Sequence, residues 1–148
     1  MDATDILQAH LDRVSMTILQ GDWPTYRDGV HLPFHIVSHD ESKVVTTEED
    51  LRAGFDQFRA TLRSQKVTDF IRLVGAATRL DQDLISGSYL SHLVSHGQRV
   101  IQPFRSQMSL RLIGNRWRAV SVTNELANSR WPLVRLQLHP DDDEGPKE

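Results

Sequence analysis

The sequence predicts an α+β domain in which N-terminal helices pack on a strongly curved antiparallel or mixed sheet. Helical spacing of apolar residues is confined to the N-terminal part of the chain, up to about Leu62. From residue 67 onwards the apolar period changes to two, and short turn signals divide the sequence into strands. Helices followed by a run of strands are typical of an α+β domain and not of a parallel sheet with crossover helices.

The composition is that of an ordinary globular protein and excludes several functional classes. The 148 residues are 39% hydrophobic and 25% charged, and a formal net charge of −3 argues against nucleic acid as a partner. Because cysteine is absent, disulfides, thiolate catalysis and zinc fingers are excluded. The N-terminus lacks a signal-peptide pattern, and no apolar run approaches the ~18 residues of a membrane helix. We therefore expect a cytoplasmic protein with no membrane partner.

The chain is long enough for one domain, which we predict over residues 1–139 with its core at 5–126. Alternating apolar residues at 130–139 predict an extra edge strand or an arm across a partner. The polar and acidic residues 140–148 predict a disordered tail.

Three helices are predicted before the long strands. The first has Thr4 as its N-cap and ends at Gly21. Asp22 caps a short second helix. Thr46 and Glu49 form a capping box at the start of the third.

Six strands are predicted from period-two alternation and the turn signals between them. The first two are short and separated by a turn, and the last four form a meander with short links. Their predicted ranges are 30–36, 43–45, 67–80, 84–95, 99–113 and 116–124.

Two-residue turns at Gly97-Gln98 and Gly114-Asn115 would set the register of the strands they join. One face of the sheet then carries large apolar residues near the second turn and small hydroxyl-bearing residues at the other end. Small residues on a helix-covered face leave a cavity, and such cavities bind ligands. For strand 67–80 either choice of inward face is consistent with the sequence.

We predict that this cavity is lined by hydroxyl-bearing and aromatic side chains. The sheet supplies most of them, and two aromatic residues of the second helix either pack in the core or line the cavity mouth. The predicted ligand-contacting residues are Trp23, Tyr26, Tyr89, Ser91, Ser106, Met108, Ser121 and Thr123.

The opposite face of the sheet is polar with isolated apolar residues, which suits water or a partner subunit. The residues predicted for a subunit contact are Leu90, Arg105, Gln107, Val120 and Val122.

The order of these elements resembles the nuclear transport factor 2-like (NTF2-like) superfamily, also called SnoaL-like. The features that carry the resemblance are Gly21-Asp22-Trp23 after the first helix, the strand pair, the Thr46-capped helix and the meander ending at Gly114–Val120. It covers about residues 5–126. It implies a cone-shaped, cystatin-like α+β fold with a deep pocket between helices and concave sheet, and often a homodimer formed through the sheet. It does not imply one function, because the fold hosts both enzymes and binding modules.

Catalytic members of that superfamily carry ionisable residues on the concave sheet, and the candidates here are Tyr89 as proton donor and Glu125 as base. The alternative is a purely structural role, in which Tyr89 lies in the core and forms a hydrogen bond with Ser106. His31, His35 and His39 lie on a strand, where a spacing of four residues spans about 13 Å and is too long for ligands of one ion. We predict no metal site and no cofactor.

Three functions remain open at this point. The first is binding of a small apolar molecule in the pocket of a homodimer. The second is a lyase or isomerase of the same fold, acting on a ring-bearing compound through Tyr89 and a carboxylate. The third is a dimeric interaction module without a ligand.

Overall fold

The computed structural model describes residues 1–39 and 41–125. Its first helix, α1, spans Ala3–Gln20 and begins two residues earlier than the predicted cap implies, because Asp2 and not Thr4 caps it. The Asp2 side chain accepts a hydrogen bond from the Asp5 N–H at 2.9 Å. The helix ends as predicted at Gly21, whose φ of 77° lies in the left-handed region that glycine adopts without strain.

Two further helices follow the predicted order. Helix α2 spans Trp23–Asp28, and the Asp22 carboxylate caps it as predicted. Helix α3 spans Glu48–Ser64, and its cap is Thr47, not Thr46, because Thr47 Oγ1 accepts the N–H of Asp50 at 3.1 Å. The predicted capping box is therefore wrong by one residue.

Seven strands within the described residues form one mixed sheet, in the order β2-β1-β7-β6-β4-β3 with the short β5 paired to β4. Strands β1 and β7 run parallel and all other pairs are antiparallel. The predicted α+β class with a mixed sheet is confirmed. The strands are β1 Val30–Val37, β2 Ser42–Val45, β3 Asp69–Asp81, β4 Leu84–Ser95, β5 Gln98–Arg99, β6 Phe104–Ile113 and β7 Arg116–Asn124.

The predicted pairing of β4 with β6 is confirmed, with Tyr89 opposite Ser106. The turn itself is one residue earlier than predicted, because His96 and Gly97 both have positive φ (52° and 86°). The register between β4 and β5 consequently differs by two residues from that between β4 and β6. An even difference leaves every side chain on its predicted face.

The β6–β7 pair contains a β-bulge that reverses part of the prediction. Ala119 lies opposite Leu110 as predicted, but Ser121 lies opposite Ser109, so Val120 is the extra residue. A shift of one residue moves all later side chains of β7 to the other face. The inward facing predicted for Ser121 and Thr123, and the outward facing predicted for Val122, are therefore wrong.

Strand β3 lies at the edge of the sheet and is irregular as well. Its register shifts at Gly75 and again before Asp81, and such bulges bend a sheet and increase its twist. The Gln8 side chain of α1 bonds this edge: its Nε2 donates to the Arg72 carbonyl at 2.6 Å and its Oε1 accepts the Val74 N–H at 2.9 Å. These two bonds hold β3 against α1.

Helix α1 packs closely on the concave face. A Cβ atom added at Gly87 would lie 2.6 Å from Leu7 Cδ2 and 2.8 Å from the Ala76 carbonyl oxygen, so only glycine fits there. Fully buried leucines of α1, Leu7 and Leu11, pack here with residues of β4 and β6. A second apolar cluster lies further along, where the C-terminal half of α1 meets α3 and the start of β3.

The predicted strand or arm at 130–139 and the predicted tail at 140–148 lie outside the described residues. In the part of the chain that the structure describes, no helix is long and apolar enough to cross a membrane.

Candidate functional site

A cavity of about 110 Å³ lies where the two apolar clusters meet, between the three helices and the concave sheet. Most of its wall is apolar, and its polar groups come from α1, α2 and strands β3, β4, β6 and β7. Its polar lining residues are His10, Tyr26, Arg72, Tyr89, Ser91, Ser106 and Asn124. Its apolar lining includes Val14, Ile18, Val30, Phe34, Ile36, Phe58, Phe70, Phe104, Met108, Ala119 and Val122.

Most of the residues predicted to contact a ligand reach this cavity. Five of the predicted eight line it, namely Tyr26, Tyr89, Ser91, Ser106 and Met108. Trp23 lies behind Tyr26, with ring centroids 5.9 Å apart, and packs against the core. Ser121 and Thr123 do not line it, because the bulge turns them to the other face and brings Val122 and Asn124 inward.

Arg72 is the most unusual residue of the cavity wall. Only 8% of its surface is exposed, and it forms no ion pair with the carboxylates that the structure describes. Its Nε donates to Ser15 Oγ at 2.9 Å, and its Nη2 donates to the Leu11 carbonyl at 3.4 Å. Burial lowers the pKa of Arg72, and the nearby tyrosine hydroxyls, followed by the more weakly acting carboxylate of Asp12, oppose that shift. An arginine stays protonated under these conditions, so the cavity holds a buried positive charge.

Two aromatic rings form cation–π contacts with the Arg72 guanidinium. The Arg72 guanidinium lies 4.7 Å from the centroid of Phe70 and 5.7 Å from that of Tyr89. Such contacts stabilise a desolvated cation by about 2 kcal/mol. They do not replace a counter-ion, since removing a cation from water costs several kcal/mol.

The two tyrosines keep their protons, so each hydroxyl can donate a hydrogen bond to a ligand. Burial raises the pKa of Tyr89, an effect that Arg72 and the hydrogen bond with Ser106 partly oppose. Although part of Tyr26 is exposed, burial raises the pKa of its hydroxyl to about 12 against the opposing effect of Arg72. Neither hydroxyl is ionised near neutral pH.

His10 is neutral as well. Burial, followed by the positive charges of Arg72 and Arg13, lowers its pKa from an ordinary 6.5 to about 3. A base with so low a pKa abstracts protons poorly at neutral pH. At neutral pH this imidazole is uncharged.

A buried hydrogen bond orders the wall opposite the helices. Ser106 Oγ donates to Asn124 Oδ1 at 2.6 Å, and both residues are buried. This contact exists because the bulge at Val120 places Asn124, not Thr123, opposite Ser106.

The predicted partnership of Tyr89 with Glu125 is wrong. Glu125 is 56% exposed and lies 3.8 Å from Arg105 in an ion pair outside the cavity. No aspartate or glutamate belongs to the described wall of the cavity. The described residues also contain no group of three or more potential metal ligands.

The residues predicted for a subunit contact fall into two groups. Leu90, Arg105 and Gln107 lie exposed on the outer face of β4 and β6. Val120 is the half-buried bulge residue, and Val122 lines the cavity.

Three polar residues of the cavity were not predicted: His10, Arg72 and Asn124. A signal was present for the first two, because each is a polar residue inside an apolar series. His10 lies between Leu7 and Val14 on the buried stripe of α1, and Arg72 follows Phe70 by two positions. Asn124 had no such signal, since its side chain faces the cavity only because of the bulge at Val120.

Comparisons with known proteins support the fold and leave the activity open. No family model matches the sequence, and no curated protein matches it. Among solved structures, an NTF2-like protein of unknown function from Shewanella oneidensis is 12% identical, with a TM-score of 0.61 over 83% of this chain and 98% of that chain. A cystatin-like protein of unknown function from Nostoc punctiforme is 16% identical, with a TM-score of 0.61 over 84% and 90%.

A third solved structure, an NTF2-like protein with a cystatin-like fold from Novosphingobium aromaticivorans, is 14% identical, with a TM-score of 0.60 over 89% of this chain and 86% of that chain. At such low identity these likenesses concern the backbone alone and carry no activity with them. They agree with the observed helices and mixed sheet. The chain therefore has the NTF2-like, cystatin-like α+β fold.

Proposed function

We propose that this protein binds a small molecule with a compact apolar body and one anionic group, in the cavity beneath α1. The observation that carries the proposal is Arg72, a buried cation in the cavity wall without a carboxylate partner among the described residues. Buried charges in proteins are normally paired. A ligand carboxylate would complete the pair.

The chemistry of the wall supports an oxyanion more than a neutral apolar molecule. Beside Arg72 stand the protonated hydroxyls of Tyr89 and Tyr26, both able to donate a hydrogen bond. Hydrogen bonds from a guanidinium to a carboxylate are about twice as strong as neutral ones. No described carboxylate in the wall would repel an anion.

The size of the cavity limits the ligand. An apolar cavity of ~150 Å³ accepts benzene, with its six carbon atoms. By the same ratio, the 110 Å³ observed here suits about four or five non-hydrogen atoms. We therefore propose a short branched or unbranched monocarboxylic acid, or the acidic end of a longer ligand.

Calorimetric titration with propionate and its neutral isostere propionamide, which have five non-hydrogen atoms each, tests this function. Arg72→Met removes the charge and keeps much of the side-chain volume, and replacing a buried ion by an apolar group of similar size often leaves a protein stable. Arg105→Met on the exposed outer face is the matched control. We expect wild type and the control to bind propionate at least 10-fold more tightly than propionamide, and Arg72→Met to lose that preference.

Equal binding of acid and amide by the wild-type protein would contradict the proposal, as would an unchanged preference in Arg72→Met. Tyr89→Phe adds a second check, because it removes one donor without altering the charge. Its expected effect is a loss of about 1 kcal/mol in propionate affinity. Native mass spectrometry of freshly purified protein would identify any acid that the cavity retains.

We also propose that two copies pair through the outer face of β3 and β4. Leu73 and Leu90 lie directly opposite each other in the register and are 52% and 41% exposed, with Ile71 beside them at 44%. Adjacent exposed apolar side chains of this kind mark interaction surfaces. Leu90→Asp should sediment as a monomer and the parent as a dimer, with Met16→Asp on exposed α1 surface as control. A monomeric parent would refute the pairing.

A further inference from the structure

A second, larger cavity of about 530 Å³ lies on the opposite side of His10, between α1 and the strands β3, β6 and β7. His10 contributes to the wall of both cavities. The remaining lining residues are Met1, Ile6, Ala9, Arg13, Arg79, Leu112, Arg116 and Trp117. We call it the arginine groove.

The arginine groove is strongly positive, although the chain as a whole carries a formal charge of −3. Among the described residues, the wall contains three arginines and no carboxylate. Two of them share the carboxylate of Asp28, which lies 3.3 Å from Arg13 Nη2 and 2.7 Å from Arg116 Nε.

A third guanidinium competes for the same carboxylate, because Arg118 Nη1 lies 3.2 Å from Asp28 Oδ1. One negative charge therefore faces three positive charges, which leaves a surplus of two. Arg79 adds another positive charge, and it forms no ion pair among the described residues. Anions are attracted to clefts lined by one sign of charge.

The groove also has an apolar side. The Arg79 guanidinium lies 5.5 Å from the centroid of the Trp117 ring, which is half-buried and packs against the core. Ile6, Ala9 and Leu112 continue the apolar surface beside it. A ligand that fits must therefore join an anionic head to a flat or apolar body.

We infer that the arginine groove binds a small aromatic phosphate monoester. A phosphate monoester carries close to two negative charges at neutral pH, which matches the surplus around Asp28. The planar fork of a guanidinium matches phosphate oxygens in pairs. The volume lies within the range of about 300–1,000 Å³ that is typical of small-molecule sites. This inference is independent of the proposed acid site at Arg72.

Phenyl phosphate is the probe, and calorimetric titration at low salt is the measurement. We expect phenyl phosphate to bind at least 10-fold more tightly than either inorganic phosphate or phenol, because only the ester engages both the arginines and the apolar surface. The affinity should fall as sodium chloride is added, since the site is exposed to solvent.

Arg79→Gln and Arg116→Gln should each weaken phenyl phosphate binding at least fivefold. Arg99→Gln, an exposed arginine of β5, is the matched control and should bind like the parent. Asp28→Asn removes the competing carboxylate and should strengthen binding several-fold. Circular dichroism of each variant verifies that it is folded.

Parent-like affinity in both Arg79→Gln and Arg116→Gln would overturn the inference, and so would equal weakening by Arg99→Gln. Loss of binding in Arg72→Met with retention in Arg116→Gln would also overturn it, by assigning the ester to the inner cavity. Failure of propionate to bind leaves the groove unaffected, because the two sites are tested with different probes and different variants.

Discussion

Acidification should destabilise this protein through His10. The imidazole is buried beside Arg72, and burial together with Arg72 and Arg13 lowers its pKa from 6.5 to about 3. In the unfolded chain the same group takes up a proton as the pH falls below 6.5. The unfolded state therefore binds more protons between pH 6.5 and 3, and linkage requires that stability falls with pH over that window.

The magnitude follows from the shift. Above pH 6.5 the contribution of neutral His10 is fully present. Between pH 6.5 and pH 3, each pH unit of acidification lowers the free energy of unfolding by about 1.4 kcal/mol. At pH 5 the free energy of unfolding should thus be lower by about 2 kcal/mol than at pH 7, from this residue alone. A loss of that size is a large part of the 5–15 kcal/mol that is typical of a folded domain.

Urea unfolding followed by tryptophan fluorescence at pH 7 and pH 5 measures the effect. His10→Gln has no titrating group at this position, so about 2 kcal/mol of the pH dependence should disappear. His35→Gln removes an exposed imidazole as the matched control and should keep the dependence of the parent. If His10→Gln and the parent lose equal stability between the two pH values, the reasoning about His10 is refuted.

Three further substitutions test the packing around the site. Gly87→Ala should destabilise the protein by about 1–3 kcal/mol in urea unfolding, because the added Cβ meets α1 at 2.6 Å, whereas Gly75→Ala meets nothing closer than 3.5 Å and should be tolerated. Ser106→Ala should cost about 1–3 kcal/mol, since it leaves a buried side-chain amide oxygen without its donor; a thermal melt identical to the parent would contradict this. Thr47→Ala should cost about 1 kcal/mol of stability and Thr46→Ala much less; the reverse order would show that the cap was assigned to the wrong threonine.

Local signals in the sequence are reliable where one residue type satisfies one backbone requirement. Gly21 ends α1 because the backbone there adopts the left-handed conformation, which glycine tolerates without strain. Asp22 caps α2 with its own carboxylate. At the other two helix starts several capping residues follow one another, and the pattern cannot rank them. Asp2 and Thr47 serve as caps where Thr4 and Thr46 were predicted.

The register of β4 and β6 was predictable even though the turn between them was placed one residue too late. The two extra residues of the connection preserve the alternation, so Tyr89, Ser91 and Ser106 keep their predicted facing. The single extra residue at Val120 does not preserve the alternation of side chains. It reverses the end of β7 and with it three predicted assignments, at Ser121, Val122 and Thr123.

The sequence by itself determined the helices, the strand order of the meander and the existence of a face with small hydroxyl-bearing residues. These follow from periodicity and turn chemistry, which act over a few residues. Only the tertiary structure decided that Arg72 of an edge strand meets His10 and Ser15 of α1 inside the sheet's concavity. Arg72 and Ser15 are 57 positions apart in the sequence. Their contact depends on bulges in β3 whose position no local sequence pattern specifies. The chemical character of the cavity, a buried cation among neutral donors, is therefore a property of the fold and not of any one segment.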